Sequence, residues 1–160
     1  MSYFFEKQLN YFFTFLGFLL VNFTGLALGS LWTDSGISSE WYLNVQKAPW
    51  TPPGWFFGLA WTTIMIFLSV FMANLHERKN SGYNFLLLLS WLLNIVWNPL
   101  FFSLNWIWVS SLVIIGLTVV LGFLIHKNRS EYKWMWILLL PYFLWLNIAA
   151  SLNLFVAIMN

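Results

Sequence analysis

Five apolar runs, each about as long as a bilayer is thick, fill most of this 160-residue sequence. A helix needs about 20 mostly apolar residues to cross the hydrocarbon core. The runs extend from Leu9 to Gly29, Gly54 to Asn74, Tyr83 to Phe102, Trp106 to Ile125 and Trp134 to Met159. Stretches such as FLLLLSWLLNIVW and WMWILLLPYFLW are apolar all round and do not alternate with period two, which argues against a β-barrel. With 61% hydrophobic and 8% charged residues, a soluble domain of this size has no interior large enough to hide the excess. The expected fold is an all-α membrane protein: a single five-transmembrane-helix bundle with a long first extramembrane loop.

The few charges orient it. Lys7, Arg78, Lys79, Lys127, Arg129 and Lys133 all fall on one side of the runs, and Lys47 alone falls on the other. The positive-inside rule then places the N-terminus inside and the C-terminus outside. A net charge of +2 is too small for a nucleic-acid surface. The absence of cysteine excludes disulfides, thiolate catalysis and cysteine metal sites.

The loops are unequal. Spans three and four are joined by a tight link around Ser103 to Asn105, whereas the first loop runs from Ser30 to Pro53. A connection that long calls for a structure or a task of its own. Within it, SSEWYLNVQKAPW reads as a short helix capped by Ser38 or Ser39. Pro49, Pro52 and Pro53 then stiffen the return to the membrane, with Pro53 suited to the first turn of span two. The loop is expected to cap the outer end of the bundle, with interfacial anchoring by its tryptophans as the alternative.

No Asp, Glu, Lys, Arg or His lies mid-span, which disfavours proton- or ion-coupled transport. His76 and His126 read as inner-loop residues, and no metal site is expected. Asparagine is the polar residue the spans do contain: Asn22, Asn94, Asn98, Asn147 and Asn153. Asn94 and Asn98 share a helix face, and Pro99 is expected to free the Asn94 carbonyl for an amide or a ligand. These amides either join helices, at about 0.6–2 kcal/mol each, or line a polar part of a cavity. Gly25 with Gly29, and Thr118 with Gly122, are small pairs that let helices approach, within the bundle or in a dimer.

In span two, Phe57, Trp61 and Met65 follow one another at helical spacing. An inward Trp61 facing Trp145 and Ala149 of span five makes a flat apolar slot roofed by the first loop. Such a slot suits a large planar ligand, with Asn94 and Asn98 among the amides at its rim.

At this point the sequence resembles the tryptophan-rich sensory protein family, also called the translocator protein or peripheral benzodiazepine receptor family. The matching stretches are WYLNVQKAPWTPPGWFFGLAWT at 41–62, LLNIVWNPL with its flanks at 92–102, and PYFLWLNIAASLNLFVAIMN at 141–160. The resemblance covers nearly the whole chain. It implies a five-helix protein, integral to the bacterial cell membrane and often dimeric. It further implies binding of porphyrins such as protoporphyrin IX, or another hydrophobic small molecule, beneath the first loop. No obligatory cofactor is implied. Carried over residue by residue, Trp61 and Trp145 match the aromatic lining, Ala149 a wall position and Asn94 a polar one. Trp50 and Pro53 match the closing loop, with Tyr42 beside them. Asn98-Pro99 and Asn147 depart from the family pattern, and the animal sterol-recognition pattern is missing from the C-terminal end.

Four functions compete. The first is a tetrapyrrole-binding receptor or sensor, with Lys47 as a carboxylate partner. The second is light-dependent porphyrin degradation, for which the bundle offers no general base, nucleophile or metal set. The third is transport of porphyrins or other hydrophobic metabolites, and the fourth a purely structural role.

Overall fold

The computed structural model describes residues 2–132 and 134–160, with side chains from Phe4 onward. Lys133, one of the residues behind the orientation reading, lies outside the described residues. Six α-helices follow one another: α1 Ser2–Ile37, α2 Glu40–Asn44, α3 Gly54–Glu77, α4 Asn84–Phe102, α5 Ile107–Glu131 and α6 Leu140–Met159. Short 3-10 turns at Ser81–Tyr83 and Met135–Leu139 lead into α4 and α6. Among the described residues, five helices are long and apolar enough to cross a membrane. The chain is an integral membrane protein with an all-α five-span bundle.

The long helices form a ring in which α1 packs on α3 and α4, α5 on α4 and α6, and α3 on α6. One end of the ring carries Arg78, Lys79, Lys127 and Arg129 and is called the basic end. The other is crossed by residues 38–53, called the strap.

α1 runs eight residues past Gly29, where the sequence placed the start of the loop. Falling hydropathy ends the membrane-buried part of a helix without ending the helix itself. Here Ser30, Thr33, Ser35 and Ser38 donate their hydroxyls back to carbonyls three or four residues earlier, which satisfies their polar groups locally while the helix continues. The 36-residue helix is about 54 Å long, well beyond the roughly 30 Å hydrocarbon core. The first loop is correspondingly shorter than expected. It holds the foreseen short helix α2, capped by Ser39, whose hydroxyl accepts from the Tyr42 backbone N–H. Pro53 occupies the cap position just before α3 rather than its first turn. Pro141 falls in the first turn of α6, where no N–H is needed.

The α1–α4 contact depends on missing side chains. A Cβ on Gly25 would stand 2.5 Å from Trp91 Nε1, and one on Gly36 would overlap Phe102. The Gly25–Gly29 notch therefore serves the bundle, receiving Trp91 and Asn98 of α4.

The interior falls into two hydrophobic clusters. The larger runs from the basic end to the start of α3 and includes Phe71, Leu117, Leu121, Leu139 and Leu146, with Trp145 and Ala149 also among its members. The smaller lies under the strap, where Val45, Phe101 and Val156 pack with Trp41, Tyr42, Trp97, Phe102 and Ile107.

Candidate functional site

The strap is fastened on two sides. Toward α4, Trp41 meets Phe101 at 5.5 Å between ring centroids, and Tyr42 meets Phe102 at 5.6 Å. Toward α6, Trp50 Nε1 donates to Ser151 Oγ at 3.1 Å, and its ring lies edge-on to Phe155 at 5.4 Å. The Gln46 backbone N–H donates to Asn160 Oδ1 at 2.9 Å. The strap thus bridges α4 and α6 across the end of the bundle, as the sequence anticipated. Lys47 stands over the Tyr42 ring, 4.3 Å from its centroid, a cation–π contact. Burial pushes the Tyr42 phenol above its ordinary range.

Below the strap, at the seam of α3 and α6, aromatic side chains meet in one knot. Trp61 and Trp145 touch edge to face, with centroids 6.4 Å apart and planes at 79°. Phe57 meets Trp145 at 5.1 Å, Phe56 meets it at 5.8 Å, and Tyr142 meets Trp61 at 6.0 Å. The two indoles do face each other, as the sequence reading required. The slot expected between them is filled by the rings themselves, because an edge-to-face pair is the favoured resting arrangement of two indoles left in contact. Met65 is buried one turn beyond Trp61, and Ala149 one turn beyond Trp145. Trp50 and Pro53 are exposed, and Tyr42 is half-buried.

The asparagines divide by what they touch. Asn22 Nδ2 donates to Ser69 Oγ at 2.9 Å, joining α1 to α3. Asn98 Oδ1 accepts from Thr33 Oγ1 at 2.8 Å, joining α4 to α1 and facing away from the seam. Asn153 Oδ1 receives the Ser110 hydroxyl at 3.4 Å, between α5 and α6. Asn147 is exposed and bonds only its own helix. The carbonyl that Pro99 leaves without a backbone donor is, by helix counting, that of Ile95 rather than Asn94. The Asn94 carbonyl instead receives Asn98 Nδ2 at 3.2 Å.

Asn94 itself differs from the others. Its Oδ1 is buried with no hydrogen-bond partner among the described residues, as are the indole N–H groups of Trp97 and Trp145. Such atoms cost about 1–3 kcal/mol each when left unmet. Asn94 lies one turn before Trp97 on α4. Trp97 packs in the cluster under the strap and Trp145 in the larger one, and the three atoms sit on α4 and α6, the two helices that the strap bridges. Two indole donors and one amide acceptor, buried among aromatic side chains, are the groups that a flat apolar molecule with a few polar edges calls for. Trp97 was not singled out from the sequence as a binding residue. Its spacing of three from Asn94 was the available signal.

The family model described as TspO/MBR matches residues 17–159. The chain belongs to that family. It is 28% identical over 115 residues to the tryptophan-rich sensory protein of Cereibacter sphaeroides, covering 71% of this chain and 73% of the relative. It is 28% identical over 139 residues to the tryptophan-rich protein TspO of Archaeoglobus fulgidus, covering 82% and 87%. The translocator protein of Bos taurus is 30% identical over 151 residues, covering 86% and 85%. The TspO/MBR match spans the strap, the α3–α6 knot and the three unpartnered atoms together.

Proposed function

We propose that the chain binds a tetrapyrrole such as protoporphyrin IX beneath the strap, as a receptor or sensor. The observation that carries this reading is the set of buried polar atoms without a partner among the described residues, Asn94 Oδ1 and Trp97 Nε1 on α4 and Trp145 Nε1 on α6, the two helices that the strap bridges. A ligand with ring N–H groups and carboxylates meets both kinds of atom, and its flat apolar body replaces the edge-to-face contact of Trp61 with Trp145. Entry then requires the indoles to part along the α3–α6 seam, while the strap stays fastened to α6 through Trp50 and Ser151. Ala149 leaves the room that a larger side chain would take. Asn98 supports the site indirectly by fixing α4 against α1. The basic end faces the inside of the cell in this reading, which puts the strap and the ligand mouth outside.

Titrating the purified protein with protoporphyrin IX tests it. Saturable quenching of tryptophan emission, weakened in Trp61→Ala and in Trp145→Ala, is the expected result. Linear, non-saturating quenching, or full affinity in both variants, removes the ligand or the site respectively.

A further inference from the structure

A cavity of about 790 Å³ lies at the opposite end of the bundle from the strap, between α1, α3 and α4. Its wall is apolar: Phe18, Val21, Leu68, Met72, Leu87 and Trp91. Its mouth is polar and includes His76, Lys79 and Asn84. Leu88, on the lining, is exposed on the outer face of α4, so the cavity is a groove open toward lipid. His76, read from the sequence as a plain loop residue, is in the last turn of α3 and forms part of this mouth.

Lys79 is the telling residue. α3 ends in a Schellman turn, with the Lys79 N–H donating to the His76 carbonyl at 2.9 Å and the Asn80 N–H to the Leu75 carbonyl at 3.2 Å. That turn needs a left-handed residue, and Lys79 supplies it at φ 52°. Glycine or asparagine is the usual occupant, and a lysine there is held against the preference of its own backbone. The neighbouring cations are engaged: Arg78 over Tyr132 at 4.8 Å, Lys127 over Tyr83 at 4.5 Å and bonded to the Gly82 carbonyl, and Arg129 over Trp136 at 5.3 Å. Among the described residues, the Lys79 ammonium has no such partner. Glu77 shares the mouth but also borders a smaller cavity together with Lys7.

From these observations we infer that the groove seats one anionic phospholipid of the leaflet at the basic end. Its phosphate sits at Lys79 beside His76, and an acyl chain lies along Leu68, Met72 and Leu87. Basic pockets between transmembrane helices bind anionic headgroups, and one cation near an anionic membrane surface is worth about a factor of five. This site is separate from the one beneath the strap and does not depend on the tetrapyrrole reading.

The full-length protein in nanodiscs, with phosphatidylglycerol bearing a photoactivatable mid-chain group, tests it. Cross-links mapped by peptide sequencing are expected on Leu68, Met72 or Leu87, and unlabelled phosphatidylglycerol should compete about fivefold better than phosphatidylcholine. Lys79→Asn keeps the left-handed turn and should abolish that preference. Leu88→Trp, at an exposed position, should block the cross-link. Equal competition by both lipids, or cross-links unchanged in both variants, would reduce the groove to ordinary lipid contact and overturn the inference.

Discussion

Trp50 reaches 101 residues along the chain to donate its indole N–H to the Ser151 hydroxyl at 3.1 Å. This bond, with the edge-on contact to Phe155, fastens the proline-rich end of the strap to α6. Replacing Trp50 with Phe removes the bond and keeps a ring. The loss of one exposed hydrogen bond is worth about 0.5–1.5 kcal/mol. Backbone amides of residues 45–51 should exchange with solvent roughly two- to tenfold faster in Trp50→Phe and in Ser151→Ala, and amides in the middle of α5 should not change. Equal exchange in the strap of both variants would mean that other contacts hold it.

The glycines of α1 and α5 should separate sharply. Gly36→Val drives a side chain into Phe102, and overpacking of this kind costs about 1–3 kcal/mol. Gly116 of α5 has nothing within 4 Å of an added Cβ, so Gly116→Ala should be neutral or gain up to about 1 kcal/mol of helix propensity. Thermal unfolding in detergent reads the difference, with a lowered midpoint only for the α1 variant.

Buried asparagines should behave according to their partners. Asn22→Leu breaks the bond to Ser69 and is expected to cost about 0.6–2 kcal/mol. Asn128 is fully buried, and its side chain bears on the Tyr83 phenol. Asn128→Leu removes that buried polar neighbour and should cost about 1–3 kcal/mol in thermal unfolding. An unchanged midpoint for Asn128→Leu would show that the amide and the phenol are not paired.

Much of this architecture is legible in the sequence, because bilayer thickness acts on length and apolarity, which are local properties. The five spans, the tight Ser103–Asn105 hairpin and the short helix after Ser39 are of that kind. The extension of α1 to Ile37 was hidden because serine and threonine hydroxyls bond back to their own helix, which a hydropathy profile does not register. The sorting of the asparagines was hidden for another reason. Asn22 meets Ser69 across 47 positions, and only the ring order of the helices decides which amide finds a partner. At the site, the pairing of Trp61 with Trp145 was legible from helix phase, but the closed edge-to-face packing was not. Helix phase gives direction and leaves separation undetermined.

Lys79 offers a stability test independent of lipid. Lys79→Gly relieves the left-handed backbone at φ 52° and should stabilise the protein by about 1 kcal/mol. Thermal unfolding of the detergent-purified variant measures this, and an unchanged or lowered midpoint would show that the lysine contributes to folding itself.

The most direct test of binding beneath the strap removes single N–H groups and leaves the rings in place. Protoporphyrin IX affinity should be measured for Trp145→Phe and Trp97→Phe against the unaltered protein, using the shift of the porphyrin absorption band. Each N–H that meets the ligand is worth about 0.5–1.5 kcal/mol, so each variant should bind roughly two- to tenfold more weakly while unfolding at a similar temperature. Two folded variants that bind as tightly as the unaltered protein would contradict the assignment.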